Sequence, residues 1–385
     1  MPVINLRDFH LDLRDVPHRF WRLLGEAQSK CQHLDQAPLL PAFSKEMHLV
    51  ALVRGVMGTT AIEGNTLSTD EVRAIVERRS KLPPSMQYQE QEVANVVATL
   101  NAEIGEPREV GDLREDRLCK WNASILKDLE LDTDIVPGAY RQLSVGVGRY
   151  RCPPPNEIPE LMQSFLSWYR ETFQETPEGF NPIEVAILKA LAAHLYFVLI
   201  HPFGDGNGRT ARLIEWFTLD CAGVPTSATH LLSDHYNLTR QVYVRKLEEA
   251  SLGGNMMPFL IYALEGFVDR LAEQLRTIYH QYALLVFAET TRLADLGKTD
   301  ATVKRRRDLA MAIANRREPV PTQAVSALSF DLITAYGNTT TKTITRDLHA
   351  LRDANLITLG NNGWTPQLSP LYWGHRRRFV PPSAA

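Results

Sequence analysis

Residues 201–212 read His-Pro-Phe-Gly-Asp-Gly-Asn-Gly-Arg-Thr-Ala-Arg, the densest run of chemistry-bearing side chains in the sequence. Gly204, Gly206 and Gly208 fall within five residues just ahead of a helical pattern, so backbone N–H groups there can converge on one anion. The N-terminus of the following helix adds the positive end of its dipole. Arg209 and Arg212 share one face of that helix and suit further phosphate oxygens. Asn207 can donate to another. Asp205 is a carboxylate beside a phosphate site, which is how a protein helps to hold a Mg2+ ion that keeps several waters. His201 opens the loop with a group that takes up a proton near neutral pH. The composite is a di- or triphosphate cradle with a built-in base. A Walker loop is excluded because no Lys follows the glycines. An EF-hand counted from Asp205 fails because Arg209 would stand where an oxygen ligand is needed.

The elements that must position this loop are mostly helical. Residues 183–200 are apolar nearly all round (Ile187, Leu188, Leu191, Leu195, Val198, Leu199), which predicts a central buried helix delivering His201. A second helix is expected through about 221, and others over about 235–250 and 257–295. Upstream, Leu49, Leu52, Val53, Val56 and Met57 form one stripe of a helix ending near Gly64. Ser68 to Glu71 carry a capping signal for another. A break at Leu82-Pro83-Pro84 precedes a helix over 92–100, and Trp121, Ile125 and Leu129 mark one more. Residues 140–152 differ. Leu143, Val145 and Val147 alternate with Ser144, Gly146 and Gly148, the strand period, and Pro153-Pro154-Pro155 ends the run. A short isolated hairpin is expected, with an edge able to accept an extended peptide.

The tail is expected to run helix (303–315), helix (322–328), turn, helix (341–354) and hairpin around Asn361-Asn362-Gly363. That order resembles a winged helix–turn–helix, with 341–348 opening the recognition helix. Residues 301–385 hold 12 Lys/Arg against 5 Asp/Glu, while the remainder holds 30 against 40. A basic module on an acidic body suggests a polyanion-facing surface, with Arg305-Arg306-Arg307 and Arg376-Arg377-Arg378 as phosphate contacts.

With 385 residues, 44% hydrophobic and 23% charged, the chain has material for two or three folded domains and is neither disordered nor fibrous in composition. Its four cysteines (Cys31, Cys119, Cys152, Cys221) contain no C-x-x-C pair, which excludes a cysteine zinc site and a dense disulfide framework. The first twenty residues lack the apolar segment of a secretory signal. Glu184, Lys189 and His194 interrupt the most apolar stretch, so no membrane span is expected. The expected location is cytoplasmic.

The pattern H-P-F-x-D-G-N-G-R-x-x-R at 201–212 is the complete signature of Fic domains, which this chain closely resembles. The resemblance extends over about 1–295 and includes Glu92-Val-Ala-Asn95. It implies a mainly α fold: an N-terminal helical extension (1–120), a Fic core (121–295) with a hairpin flap for target docking at 140–152, and the winged-helix-like domain (300–385). It also implies transfer of AMP from ATP to a protein hydroxyl. His201 would then be the general base, Phe203 a loop anchor and Asp205 the Mg2+ ligand. Gly206, Asn207 and Gly208 would form the anion hole, with Arg209 and Arg212 on the β- and γ-phosphates. Gly208 stands where kinase-like members carry Lys, which favours AMP transfer.

Thr59-Thr-Ala-Ile-Glu63-Gly64 resembles the family's inhibitory motif [ST]-x-x-x-E-[GN], implying that Glu63 pairs with Arg212 and blocks productive γ-phosphate binding. Tyr243 stands where relatives often have a Tyr-Tyr pair near the adenine, although Val244 replaces the second Tyr. His194 reads as a satisfied core histidine. The expected function is an adenylyltransferase acting on Ser, Thr or Tyr of a target protein, held off by Glu63, with AMP removal by the same site as a second outcome. The expected partners are ATP, Mg2+ and the target, with self-modification, a homodimer and a DNA or protein contact through 300–385 as further expectations. A nucleotide-sensing DNA-binding regulator is the alternative.

Overall fold

Asn181 fixes where the central helix begins. In the computed structural model its Oδ1 accepts from Ile183 N at 2.9 Å, while Glu184 Oε2 accepts from Asn181 N at 2.9 Å, a reciprocal cap with Pro182 at the first helical position. The structure describes residues 16–368 except 105–110, 173–175, Lys298, Arg317 and Asn338, together with Asn5, Leu6, Phe9 and Leu13. Arg376, Arg377 and Arg378 lie outside the described residues. The chain divides into two compact units between Gln274 and Leu275.

The first unit is built of α1 (His18–Asp35), α2 (Pro41–Ala61), α3 (Thr69–Val76), α4 (Gln87–Ile104), α5 (Glu115–Ile125), the strands β1 (Gly146–Val147) and β2 (Tyr150–Arg151), α6 (Ile158–Glu171), α7 (Pro182–Ile200), α8 (Asn207–Cys221), α9 (Leu231–Leu238) and α10 (Arg240–Gly253). The helix α11 (Met257–Leu293) begins in this unit. Its core centres on α7, whose apolar side chains are buried on every face and which packs along α8. By length and composition α7 could cross a membrane, contrary to the expectation from its three polar residues, but 83% of that window is buried within the protein. All four cysteines are free.

The helix α2 lies against α9 at small residues. A Cβ on Gly55 would stand 2.5 Å from His230 Cβ, and one on Gly58 would stand 2.6 Å from Ser233 O. Only glycine permits that approach, which seats the end of α2 over the start of α8. At α5 the expected stripe ends early: the helix stops at Ile125, so Leu129 is not part of it. Asn95 on α4 explains the stop, because its Nδ2 donates to Ile125 O at 3.3 Å and Lys127 O at 2.6 Å. Those carbonyls face a side chain across the fold instead of continuing the helical ladder. The hairpin of 140–152 is shorter than its alternation suggests, with Gly146 opposite Arg151 and Val147 opposite Tyr150.

The second unit contains α12 (Asp300–Ala314), a 3-10 turn (Thr322–Ala327), α13 (Phe330–Tyr336), α14 (Thr341–Asp353) and the hairpin of β3 (Ile357–Gly360) with β4 (Gly363–Pro366). Leu309, Ile313, Leu332, Leu348, Leu351, Ile357 and Trp364 are among its core residues. Two expectations change here. The segment read as a turn after residue 328 contains α13, started by Ser329, whose Oγ accepts from Leu332 N at 3.3 Å. The Arg305-Arg306-Arg307 triplet is not laid out for phosphates. Arg305 Nε and Arg306 Nε each donate at 2.7 Å to the buried carboxylate of Asp347, and Arg307 donates to the carbonyl of Arg292. Inward pairing satisfies the one buried acid of α14, which would otherwise stand uncompensated.

Candidate active site

The loop 201–206 joins the C-terminus of α7 to the N-terminus of α8, and both ends use left-handed backbone. His201 has φ 52° and ψ 58°, which breaks α7 and turns the chain; Gly206 has φ 77° just ahead of α8. A Cβ on Gly206 would also stand 2.9 Å from Asn122 Nδ2, so this position needs glycine twice over. The helix α8 begins at Asn207, leaving the first-turn N–H groups of Asn207, Gly208 and Arg209 without carbonyls one turn back.

His201 is half-buried, and its Nδ1 lies 3.3 Å from Val198 O. A carbonyl only accepts, so the ring proton sits on Nδ1 and the lone pair on Nε2. Burial, assisted by the positive charge of Arg141, pushes the imidazole below its usual range despite the Val198 contact and the charges of Glu63 and Asp205. The ring is therefore neutral at pH 7 and able to accept a proton.

Asn207 and Gly206 have internal work that the sequence does not announce. Asn207 Oδ1 accepts from Phe203 N at 3.0 Å and its Nδ2 donates to Phe203 O at 2.9 Å, so the amide staples the loop shut from inside. The N–H of Gly206 is taken by Asp205 Oδ1. Phe203 is buried, as expected of an anchor, and pairs through its backbone with Tyr140 at the base of the hairpin.

The two arginines of α8 are both buried and both paired with acids. Arg209 Nη1 lies 3.0 Å from Glu92 Oε1 on α4, and its Nη2 lies 3.2 Å from Asp205 Oδ1. Glu92 also accepts from Asn65 Nδ2 at 3.0 Å. Burial raises the pKa of Glu92, with the Asn65 bond and Arg209 opposing it. Arg212 donates through Nε to Thr59 Oγ1 at 2.8 Å, and through Nη2 to Thr59 O at 3.0 Å and Glu63 Oε1 at 2.6 Å. The end of α2 and the turn after it thus cap this guanidinium with a hydroxyl, a carbonyl and a carboxylate. Crowding by the protein would raise the pKa of Glu63, but Arg212 above all, with Arg209 and Arg240, holds it below the usual carboxylate range. Tyr243 is not at an open face. It is buried, stacked on Tyr236 at 4.5 Å, with its hydroxyl 2.9 Å from His194 Nε2.

Asp205 is the acid available to a cation at the loop, and its side chain is 39% exposed. Among the described residues no group of three or more His, Cys, Asp or Glu forms a metal cage. One exposed carboxylate beside unpaired N–H groups fits a Mg2+ ion that arrives with a polyphosphate and keeps most of its ligands as water and phosphate.

Residues 112–219 match the Fic/DOC family. The chain carries a Fic domain. It is 28% identical over 250 residues to the protein adenylyltransferase fic-1 of Caenorhabditis elegans, covering 64% of this chain and 45% of that protein. It is 30% identical over 227 residues to the protein adenylyltransferase Fic of Nematostella vectensis, covering 58% and 48%. The chain spans about half the length of these curated relatives. Among solved structures, a Fic family protein from Desulfovibrio desulfuricans G20 shares the fold with a TM-score of 0.57 at 22% identity, over 91% of this chain and 93% of that one. Residues 134–508 of C. elegans Fic-1 align with a TM-score of 0.51 at 26% identity, over 66% and 71%.

Within the Fic domain, Arg141 is the site residue that motif reading misses. Its buried guanidinium donates through Nε to His201 O at 2.8 Å, through Nη1 to Leu143 O at 2.8 Å and through Nη2 to Pro153 O at 2.7 Å. One side chain ties both legs of the hairpin to the histidine that ends α7. Asn122 is a second such residue: its Nδ2 donates to Asp205 O at 2.8 Å and its Oδ1 accepts from Gly138 N at 2.9 Å. Both act on backbone groups, so no pairing of side-chain types signals them.

Proposed function

We propose that this protein transfers AMP from ATP to a Ser, Thr or Tyr hydroxyl of a protein target, and that Glu63 restrains the reaction. The observation that carries the reading is His201: neutral, with one nitrogen directed at Val198 O and the other left to accept a proton, at the mouth of a loop whose next helix presents free N–H groups. The target oxygen would attack the α-phosphorus, its proton passing to Nε2 of His201. The bond from that phosphorus to the bridging oxygen would break and pyrophosphate would leave. Charge growing on the phosphoryl oxygens would meet the N–H groups at the start of α8, with Arg209 and Arg212 on the departing phosphates. Asp205 would hold Mg2+, which when bound neutralises charge between the phosphates.

The hairpin supports a docked target. Leu143 and Val147 are exposed there although apolar, at 55% and 45%, and among the described residues β1 pairs with β2 alone, leaving an edge for an extended peptide. The Glu63–Arg212 pair supports the restraint, since it occupies the guanidinium assigned to phosphate. For residues 300–385 the proposed role is a winged-helix-like targeting module. Protein binding is favoured there over DNA, because Arg305 and Arg306 are spent on Asp347.

The deciding experiment is intact-mass analysis of a candidate target, and of the chain itself, after incubation with ATP and Mg2+. A gain of one AMP moiety that requires His201 supports transfer. Binding of ATP with no such product from either wild type or Glu63→Gly would overturn it.

A further inference from the structure

Glu92, on α4, is a buried acid that faces two parts of the site at once. Its Oε1 accepts from Arg209 Nη1 at 3.0 Å, and its Oε2 accepts from Asn65 Nδ2 at 3.0 Å. Asn65 stands two residues after Glu63, in the turn that follows α2. Its amide is engaged at both ends: Nδ2 also donates to Gln89 O at 2.9 Å, and Oδ1 accepts from Leu67 N at 3.1 Å. None of Glu92, Asn65 and Arg209 is more than 7% exposed. At Nη2 Arg209 meets Asp205 Oδ1 and Oδ2 at 3.2 and 3.3 Å, and its buried Nε has no hydrogen-bond partner among the described residues.

We propose that Glu92 is a positioning residue that holds Arg209 ready for a phosphate through one carboxylate oxygen and holds the turn carrying Glu63 through the other. Arg209 lies between two acids of different standing. Asp205 has a side chain 39% exposed on the loop and is the acid that a cation would draw away. Glu92 is enclosed by protein on another helix, so its contact need not change when the loop exchanges partners. Without Glu92 the buried guanidinium would be left with Asp205 and would close onto both of its oxygens, because a buried charge without compensation is costly. That closure would take Arg209 from the phosphate and Asp205 from the cation together. The second oxygen cannot be replaced by a rearrangement of Asn65, since reversing its amide would break the bonds to Gln89 O and Leu67 N. Glu92→Gln offers a single carbonyl oxygen, uncharged, to two donors that the carboxylate serves separately.

The proposal rests on the reading of Arg209 as a phosphate ligand, and the test separates the two. ATP binding with Mg2+ is measured by calorimetry on the full chain carrying Glu63→Gly, alone and combined with Glu92→Gln, Arg209→Ala or both. Loss of one hydrogen bond to a charged group weakens affinity about tenfold. That loss is expected with Arg209 present, and less than about twofold is expected once Arg209→Ala has removed the group being positioned. Equal loss in both backgrounds, or none in either, overturns the proposal. Tighter binding by Glu92→Gln overturns it as well, since the carboxylate would then only offset the charge of Arg209.

If the Glu63→Gly parent binds no ATP, the functional reading fails, while the hold on the turn is still decided without nucleotide. A double-mutant cycle of Glu63→Gln with Arg212→Ala on unfolding stability measures their coupling. Glu92→Gln should reduce that coupling by about half, and so should Asn65→Ala, which cuts the same link from the other side. Coupling unchanged by either substitution counts against the proposal. Should Glu92→Gln fail to fold, Glu92→Asp is the second variant. It keeps the charge but withdraws it by one methylene, and it should produce the same Arg209-dependent loss.

Discussion

A Cβ placed on Gly208 would stand 2.5 Å from Glu63 Oε1. The second residue of α8 therefore has to be glycine for the acid after α2 to reach Arg212 at 2.6 Å. The same bare backbone is what the proposed function needs for a phosphoryl group to approach the N-terminus of α8. In the proposed function, substrate access and restraint would share that one requirement, with the Glu63 carboxylate held against the backbone that the phosphoryl group would approach.

Replacing Glu63 by Gly should raise AMP incorporation on the order of a hundredfold, because a misplaced α-phosphorus of about 1 Å costs roughly that much. Adding Arg212→Ala should erase the gain, since the released guanidinium is what would hold the terminal phosphate. Labelled-AMP incorporation by wild type, both single variants and the double variant checks this. Release of AMP from a premodified target, run in parallel, shows whether Glu63 also serves removal. Equal incorporation by wild type and a folded Glu63→Gly chain would refute the restraint.

His201→Ala should leave ATP affinity within about twofold while abolishing transfer, as a general base contributes to the chemical step and not to nucleotide contacts. The sign of the pH dependence follows from the lowered pKa. Only the neutral ring accepts a proton, so rate falls as pH drops through a value below the usual 6.5 for histidine. In the Glu63→Gly background the midpoint of the decline should therefore lie on the acid side of pH 6.5. A midpoint above pH 7 would contradict the assignment.

Arg141→Ala strands three carbonyls at the base of the hairpin and should cost about 2–5 kcal/mol of stability. Arg141→Lys keeps the charge but not the fork, and should recover less than half of that loss. Urea midpoints of the three proteins measure it. Because one of the three carbonyls is that of His201, residual transfer by the folded variants should fall further than their folded fraction accounts for. No stability difference between wild type and Arg141→Ala would show that the fork is incidental.

What was legible in the sequence was local. The capping signal from Ser68 to Glu71, the apolar run of α7 and the glycine spacing of the loop all act within a few residues, and each stands where it was expected. The Glu63–Arg212 contact was legible only through resemblance, since nothing in the spacing of 59–64 and 201–212 brings them together. Arg141, Asn122 and the stapling by Asn207 were not legible, because their partners are backbone groups that carry no residue identity. The inward turn of Arg305 and Arg306 escaped for a related reason. Their acid, Asp347, lies on a different helix, and a run of like charges looks solvated until the fold supplies its partner.

That buried acid gives the last prediction. Asp347 accepts from Arg305, Arg306 and Tyr336, the last at 3.1 Å, and is itself fully buried. Removing one member of such a cluster leaves charges without compensation, so Asp347→Asn should destabilise the second unit by roughly 3–5 kcal/mol. The exposed pair of Arg352 with Asp353 is the contrast: Arg352→Ala should change stability by less than about 0.5 kcal/mol. The pH dependence has a definite direction. Burial alone would raise the Asp347 pKa, but the hydrogen bonds and charges of Arg305 and Arg306 hold it net below its ordinary value. A depressed folded-state pKa means that the contribution is complete above the unfolded value of about 3.9 and is lost as pH falls through the folded one. Hydrogen exchange of α12 and α14 on the full chain reads the local stability. Protection there should hold from pH 7 to about 4.5 in the wild type, after allowance for the intrinsic exchange rate, and should already be reduced at pH 7 in Asp347→Asn. Protection unchanged by that substitution would mean that the two arginines find equivalent partners in solvent and that the cluster is not what holds α14 to α12.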